Sequence, residues 1–175
     1  MNKIDPEAIV RQYIDAKDNH RWDEVVSLLD PEFTSTDPAI PEPVKGIEAI
    51  SEYFPMLEHV YMKTKILMMA SKGEDVAAEL AVTCAFDFEK PADSAALPTG
   101  PSFVFKFAKF YKVNSKGLLV EEREYSDTAA KSALLGAAAA QFQDLEGEAA
   151  TNFQAFSKDA TRRIPVNVAT GRVAH

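Results

Sequence analysis

The residue of this chain whose setting best suits chemistry is Asp37, in the run Thr-Ser-Thr-Asp-Pro at residues 34–38. It follows an apolar helical run and a short β-prone stretch, and a proline-rich turn from Ala39 to Val44 separates it from Gly46. Upstream, Tyr13 stands in the first helix-prone segment, within Arg-Gln-Tyr-Ile-Asp. A carboxylate at a strand end, facing a helix-borne tyrosine across an apolar concavity, could remove a proton as a general base while the phenol stabilises an oxyanion. Each residue also has a plain reading. Asp-Pro is an ordinary Asx-type turn starter, and a tyrosine at a helical apolar position is a core aromatic whose hydroxyl finds a partner.

The elements that would position these residues are legible from periodicity. Asp5 suits an N-cap with Pro6 at the first helical position, and Ile9, Val10, Tyr13 and Ile14 recur at helical spacing, which predicts a helix over 5–19. Trp22, Val25, Val26, Leu28 and Leu29 predict a second short helix ended by Asp30-Pro31. Phe33 to Asp37 is a short strand, and Gly46 opens a third helix carrying Ile47, Ile50, Tyr53, Phe54 and Leu57. The period then changes. Tyr61 to Ala70 is β-prone, and the run from Val76 to Phe88 alternates apolar with polar residues. After a Pro/Ala/Ser loop over 90–101, Phe103, Phe105, Phe107 and Tyr111 alternate again. Asn114 to Gly117 reads as a hairpin turn, and Leu118 to Ser126 closes the sheet.

Helices first and an antiparallel meander after them imply an α+β fold, with the helices packed on one face of a curved sheet. Such a sheet leaves a conical pocket suited to a small ligand. Beyond it, Thr128 to about Arg162 is Ala-rich and helical, and Phe142, Leu145, Ala149, Phe153 and Phe156 form an apolar stripe.

Composition narrows the function classes. The 175 residues are 46 % hydrophobic, enough for a real core. Nineteen basic residues against twenty-seven acidic ones give a net charge of −8, which disfavours a nucleic-acid partner. No segment has the length of a membrane span, and the charged start Met-Asn-Lys-Ile-Asp-Pro-Glu is unlike a secretory signal. The single cysteine, Cys84, fits a reducing, cytoplasmic compartment. Three scattered histidines and one cysteine give no zinc spacing, and glycine-rich phosphate loops are absent, so no metal or cofactor is expected.

The order of elements resembles the nuclear transport factor 2-like superfamily, whose α+β cone includes ketosteroid isomerases and SnoaL-like polyketide cyclases. The resemblance is carried by Tyr-Ile-Asp-Ala-Lys-Asp-Asn-His-Arg-Trp at 13–22, by Ser-Thr-Asp-Pro at 35–38 and by Val-Lys-Gly-Ile-Glu-Ala-Ile at 44–50. The hairpin at Gly117, Glu-Tyr-Ser-Asp at 124–127 and Leu-Leu-Gly at 134–136 are similar to the SnoaL-like ending, so the resemblance implies a domain over 1–136, with a helical extension and tail over 137–175 beyond it. What the resemblance implies is a cone-shaped curved antiparallel sheet wrapped around N-terminal helices, assembled as a homodimer; the extra C-terminal helix is read from the Ala-rich run alone. It places the isomerases' general base at Asp37 and their oxyanion-hole tyrosine at Tyr13; the ketosteroid isomerases add a neutral aspartic acid as second donor. The corresponding stretch here is Phe107-Ala108-Lys109, and no carboxylic acid occurs in 103–113. By SnoaL-like analogy Asp127 is a rival acid/base, while Thr128 and the alanines after it make it a helix N-cap on plain reading.

The last strand has two possible registers. One turns Val120, Glu122, Glu124 and Ser126 into the pocket; the other, shifted by one residue, turns Leu119, Glu121, Arg123, Tyr125 and Asp127 inward. Trp22, Phe33, Tyr53, Phe54, His59 and Phe105 complete the expected pocket, although helix-to-sheet packing also explains the aromatic spacing and His59 also suits a helix C-terminus. The superfamily further includes epoxide hydrolases with an Asp-Arg-Asp constellation, for which Arg123 between carboxylates is the candidate. The activity expected is proton transfer alpha to a carbonyl on a small, partly apolar molecule, as in isomerisation or cyclisation. The alternative is a non-catalytic ligand-binding or dimerisation module of the same fold.

Overall fold

The computed structural model describes residues 4–38, 42–87, 102–129 and 131, and besides these residues 96, 98, 146, 147, 149–151, 154, 166–167 and 172–173, with the side chain of Met56 left aside. Helix α1 spans Pro6–Asp18, and its first turn is closed by Asp5, whose carboxylate accepts from the amides of Glu7 and Ala8. Its buried face carries Val10, Tyr13, Ile14 and Asp18. Helix α2 is Trp22–Ser27, followed at once by strand β1, Leu29–Thr36. The helix thus stops short of Asp30-Pro31, which lies inside β1. Proline is tolerated there because the pairing of β1 with its neighbour is irregular between Leu29 and Thr34, so no ladder bond is lost.

Strand β2 (Val44–Lys45) pairs with β1, and Gly46 donates its amide to the carbonyl of Phe33 at 2.8 Å. The expected third helix is two short ones, α3 (Ile47–Ser51) and α4 (Phe54–Leu57). Pro55 in the first turn of α4 is the physical reason, since it has no amide N–H to donate to the carbonyl of Ser51 and so cannot carry the ladder of α3 onward. Strands β3 (Val60–Lys72), β4 (Asp75–Phe86), β5 (Ser102–Val113) and β6 (Leu119–Tyr125) form the meander. The sheet is curved and unclosed, in the order β2-β1-β6-β5-β4-β3. The β1–β6 pairing is parallel, with Ser35 beside Glu122 and Thr36 beside Arg123. This pairing sets the end of β1, and hence Asp37, beside the inward glutamates of β6.

The core lies between α1, α2 and the inner face of the sheet, with Val10, Val25, Phe33, Val76, Val113 and Leu119 fully buried. The hairpin between β5 and β6 is held by Asn114, whose side-chain oxygen accepts from the amides of Lys116 and Leu118. Helical residues resume after β6 at Thr128, Ala129 and Lys131. Of the apolar stripe expected in the C-terminal extension, Phe142, Leu145, Phe153 and Phe156 lie outside the described residues. Among the described residues no helix is long and apolar enough to cross a membrane.

Candidate functional site

A cavity of about 320 Å³ opens between α1, α3, α4 and the concave face of the sheet. Strand alternation builds most of its wall. Leu80, Val82, Cys84 and Phe86 come from β4, and Phe105, Phe107, Lys109 and Tyr111 from β5, all of one parity. The short helices add Ile50, Tyr53, Phe54 and Leu57, so this part of the lining is apolar or aromatic. Tyr13, Ile14 and Lys17 enter from α1, and Asp37 from the end of β1.

One side of the cavity is charged. Lys109 lies directly across the β5–β6 ladder from Glu124, on the same face, with Glu122 next along β6. Its ammonium pairs closely with Glu122 and lies 3.5 Å from Glu124. Glu124 also accepts from Lys131 at 2.9 Å, and Lys131 reaches Asp37 at 2.7 Å. The result is a continuous chain, Glu122–Lys109–Glu124–Lys131–Asp37, along one wall of an otherwise apolar pocket. Burial alone would raise the Glu122 carboxyl, but Lys109 foremost and Lys17 next bring it down to about 2. Glu124 is likewise lowered, its burial outweighed by Lys109 and Lys131. Desolvation would lower both Lys109 and Lys131, and the facing carboxylates reverse this and raise them. All four groups are therefore charged at neutral pH.

Two phenols border this wall. Burial above all, then the charge of Glu122, raises Tyr13 well above the usual tyrosine range. Burial raises Tyr111 in the same way. Both hydroxyls stay protonated and can donate. The two rings meet edge to face at 6.3 Å. Tyr13 interacts with Glu122, whose Oε2 keeps no hydrogen-bond partner among the described residues. Asp18, at the end of α1, accepts from the amide and hydroxyl of Thr64 at 2.6 and 2.8 Å, tying α1 to β3.

The structure brings Tyr13, Asp37, Tyr53, Phe54, Phe105, Glu122 and Glu124 to this one cavity. Trp22, Phe33, His59 and Asp127 do not line it. Trp22 sits behind the wall, stacked on Phe54 at 4.6 Å and on His20 at 5.2 Å, and Phe33 is fully buried in the core. His59 bonds through Nδ1 to the carbonyl of Asp87, outside the lining. Asp127 is exposed, and its carbonyl accepts from the amide of Lys131 in the first helical turn after β6. The register of β6 turns Glu122 and Glu124 inward, whereas Arg123 is exposed and pairs with Glu121 on the outer face. Sequence reasoning missed Lys17, Lys109, Tyr111 and Lys131. The parity of Phe105, Phe107, Lys109 and Tyr111 was the available signal, as was the four-residue step from Tyr13 to Lys17.

Solved structures of similar shape come from several bacteria. A putative polyketide cyclase from Xanthomonas campestris pv. campestris superposes with a TM-score of 0.60 at 17% identity, over 72% of this chain and 93% of that one. An LEH-like epoxide hydrolase of Mycobacterium tuberculosis gives a TM-score of 0.57 at 16% identity, over 69% and 76%. RV0760c of Mycobacterium tuberculosis, in complex with estradiol-17beta-hemisuccinate, gives 0.56 at 16%, over 69% and 92%. At such identities these likenesses speak for the fold alone. No curated protein matches the chain in sequence. The SnoaL-like domain matches residues 10–122, from the buried face of α1 to Glu122 in β6, and the chain belongs to that family within the nuclear transport factor 2-like superfamily.

Proposed function

We propose that the cavity binds a small, partly apolar molecule carrying a carbonyl group, and that Asp37 removes a proton from the carbon next to that carbonyl while Tyr13 donates to the carbonyl oxygen. The observation that carries this reading is the presence of Asp37 and Tyr13 on one cavity whose remaining wall is mostly apolar. The apolar wall would hold the carbon skeleton, and the buried phenol is a neutral donor at any physiological pH. Fold relatives described as a polyketide cyclase and as a steroid complex are compatible with ligands of this kind. The test is deuterium uptake at the alpha carbon of an apolar ketone such as β-tetralone, followed by NMR in D2O. Wild-type protein should accelerate uptake, and Asp37→Asn should lose about a hundredfold or more of that acceleration. Unchanged exchange in the variant refutes the role of Asp37.

A second reading is favoured by the ion pair between Asp37 and Lys131, which engages Oδ2 of the proposed base. On that reading the cone is a receptor, and Asp37→Asn changes affinity but no rate. The outer face of the sheet, where Val104, Phe110 and Tyr125 are exposed, suits the homodimer that the family resemblance implies. A monomeric mass by light scattering would remove that part of the reading. The lone Cys84 agrees with a cytoplasmic setting.

A further inference from the structure

Lys17 is the third lysine of the cavity, and the chemistry proposed above leaves it unused. It follows Tyr13 by one helical turn, so both side chains leave the same face of α1. The other two cavity lysines are each held between carboxylates. Lys17 is held otherwise. Among the described residues no carboxylate oxygen lies within 4.0 Å of its Nζ, which sits 5.1 Å from the centre of the Tyr13 ring, over its face. Desolvation lowers its pKa from the usual lysine value, in spite of the opposing pull of Glu122. A desolvated amine inside a cavity, without a salt-bridge partner, is the setting in which lysine acts as a nucleophile rather than as a fixed charge.

We propose that Lys17 condenses with an aldehyde or ketone ligand to form an imine inside the cone. This rests on the reading that the cavity takes a carbonyl compound. Neutral Nζ attacks the carbonyl carbon, the carbon–nitrogen bond forms, and the π electrons move to oxygen, which takes up a proton to give a carbinolamine. The nitrogen loses a proton, the hydroxyl is protonated, and its bond to carbon breaks with release of water. The net change is amine plus carbonyl plus one proton to protonated imine plus water, with no oxidant or reductant. The protonated imine draws electrons from the neighbouring carbon–hydrogen bond more strongly than the carbonyl does. Lys17 would therefore increase the acidity that Asp37 exploits.

The test uses the full chain with β-tetralone and sodium cyanoborohydride, which reduces an imine to a stable secondary amine. Intact mass and peptide mapping should show a single adduct per chain, on the peptide bearing Lys17, retained in Asp37→Asn and lost in Lys17→Arg. Adducts confined to exposed lysines, or unchanged in Lys17→Arg, overturn the proposal. A pH series on wild-type protein gives a second measurement should Lys17→Arg fail to fold. The groups facing Lys17 are Tyr13 and Asp18 from α1, Lys109 from β5, and Glu122 and Glu124 from β6. Labelling of Lys17 should begin at lower pH than that of the exposed Lys65 or Lys72, and an identical profile overturns the proposal. The two readings separate cleanly. Exchange without an adduct sinks only the role of Lys17, whereas an adduct without exchange supports Lys17 and sinks Asp37 as base.

Discussion

Replacing Lys109 with methionine, an apolar chain of similar length, should invert the way stability depends on pH. In the wild-type protein the ammonium of Lys109 lies between Glu122 and Glu124, and all three side chains are at most 10 % exposed. The Glu122 carboxyl, which burial would raise, is brought down to about 2 chiefly by Lys109. A folded-state pKa below the unfolded one gives stability that is present above the unfolded value, near 4.5, and is lost as pH falls through about 2. At 1.36 kcal/mol per unit this linkage amounts to about 3 kcal/mol. Without Lys109, burial of Glu122 is opposed chiefly by Lys17 and the Tyr13 hydroxyl, and the folded-state pKa of Glu122 should move above the unfolded one. The variant is then most stable in acid and loses stability as pH rises. Breaking a buried pair by removing one partner costs about 3–5 kcal/mol at neutral pH. That is a large share of the roughly 5–15 kcal/mol that holds a domain folded.

The assay is urea unfolding followed by the fluorescence of Trp22, the only tryptophan, at pH 5 and pH 7.5. Wild-type protein should change little between the two, and Lys109→Met should unfold at markedly lower urea at the higher pH. Lys109→Met combined with Glu122→Leu should recover much of the loss, because an apolar pair replaces an unpaired charge. If Lys109→Met stays within about 1 kcal/mol of wild type at pH 7.5, or shows the wild-type pH slope, the account of the wall is wrong.

Three further outcomes test other parts of the fold. Burial raises the Cys84 thiol to about 12, so iodoacetamide at pH 8 should alkylate it slowly in the folded chain and rapidly in urea; equal rates would show that the thiol is not sheltered. Asp18→Ala should cost about 1–3 kcal/mol, because the amide and hydroxyl of Thr64 lose their acceptor, whereas Asp18→Asn should be milder; equal urea midpoints for the two variants would refute this. Gly46 has φ +82° and ψ 159°, a conformation nearly confined to glycine, and an added Cβ would meet nothing closer than 3.7 Å. Gly46→Ala should therefore cost about 1–3 kcal/mol through backbone strain, and a thermal midpoint equal to wild type would contradict that.

The parts of this fold that are legible in sequence are those whose rules are local. Asp5-Pro6 marks the start of α1, alternation marks β4 and β5, and Asn114 to Gly117 marks the hairpin. Other features are masked by a competing local pattern or depend on partners distant in sequence. The break at Pro55 is a local signal that the helical spacing of Ile47, Ile50, Phe54 and Leu57 overrides. Pro31 inside β1 makes sense only once the irregular pairing with β6 is known. The register of β6 is open in sequence because either choice buries some apolar side chain. The structure settles it through Tyr111 opposite Glu122 and Lys109 opposite Glu124. Lys109 escapes notice for the same reason. A lysine within an alternating strand reads as solvent-facing until its counter-charges are placed, and those counter-charges are on the strand whose register is in doubt.

The charged wall is poorly explained by stability. A buried ion pair must recover the desolvation of both charges, and a well-packed apolar pair of similar volume often does as well or better. This wall buries several such charges beside the mostly apolar lining of a cavity. What the chain does provide is fixed charge and fixed donors in place before a ligand arrives, which is the condition for strong electrostatic action on a bound molecule. The contrast with Lys17 follows the same logic. Lys109 and Lys131 are kept protonated by their carboxylates, while Lys17, one turn from Tyr13 and outside the chain of pairs, is shifted towards its neutral form. One pocket thus holds two lysines fixed as counter-ions and a third, outside the pairs, whose pKa is displaced in the opposite direction.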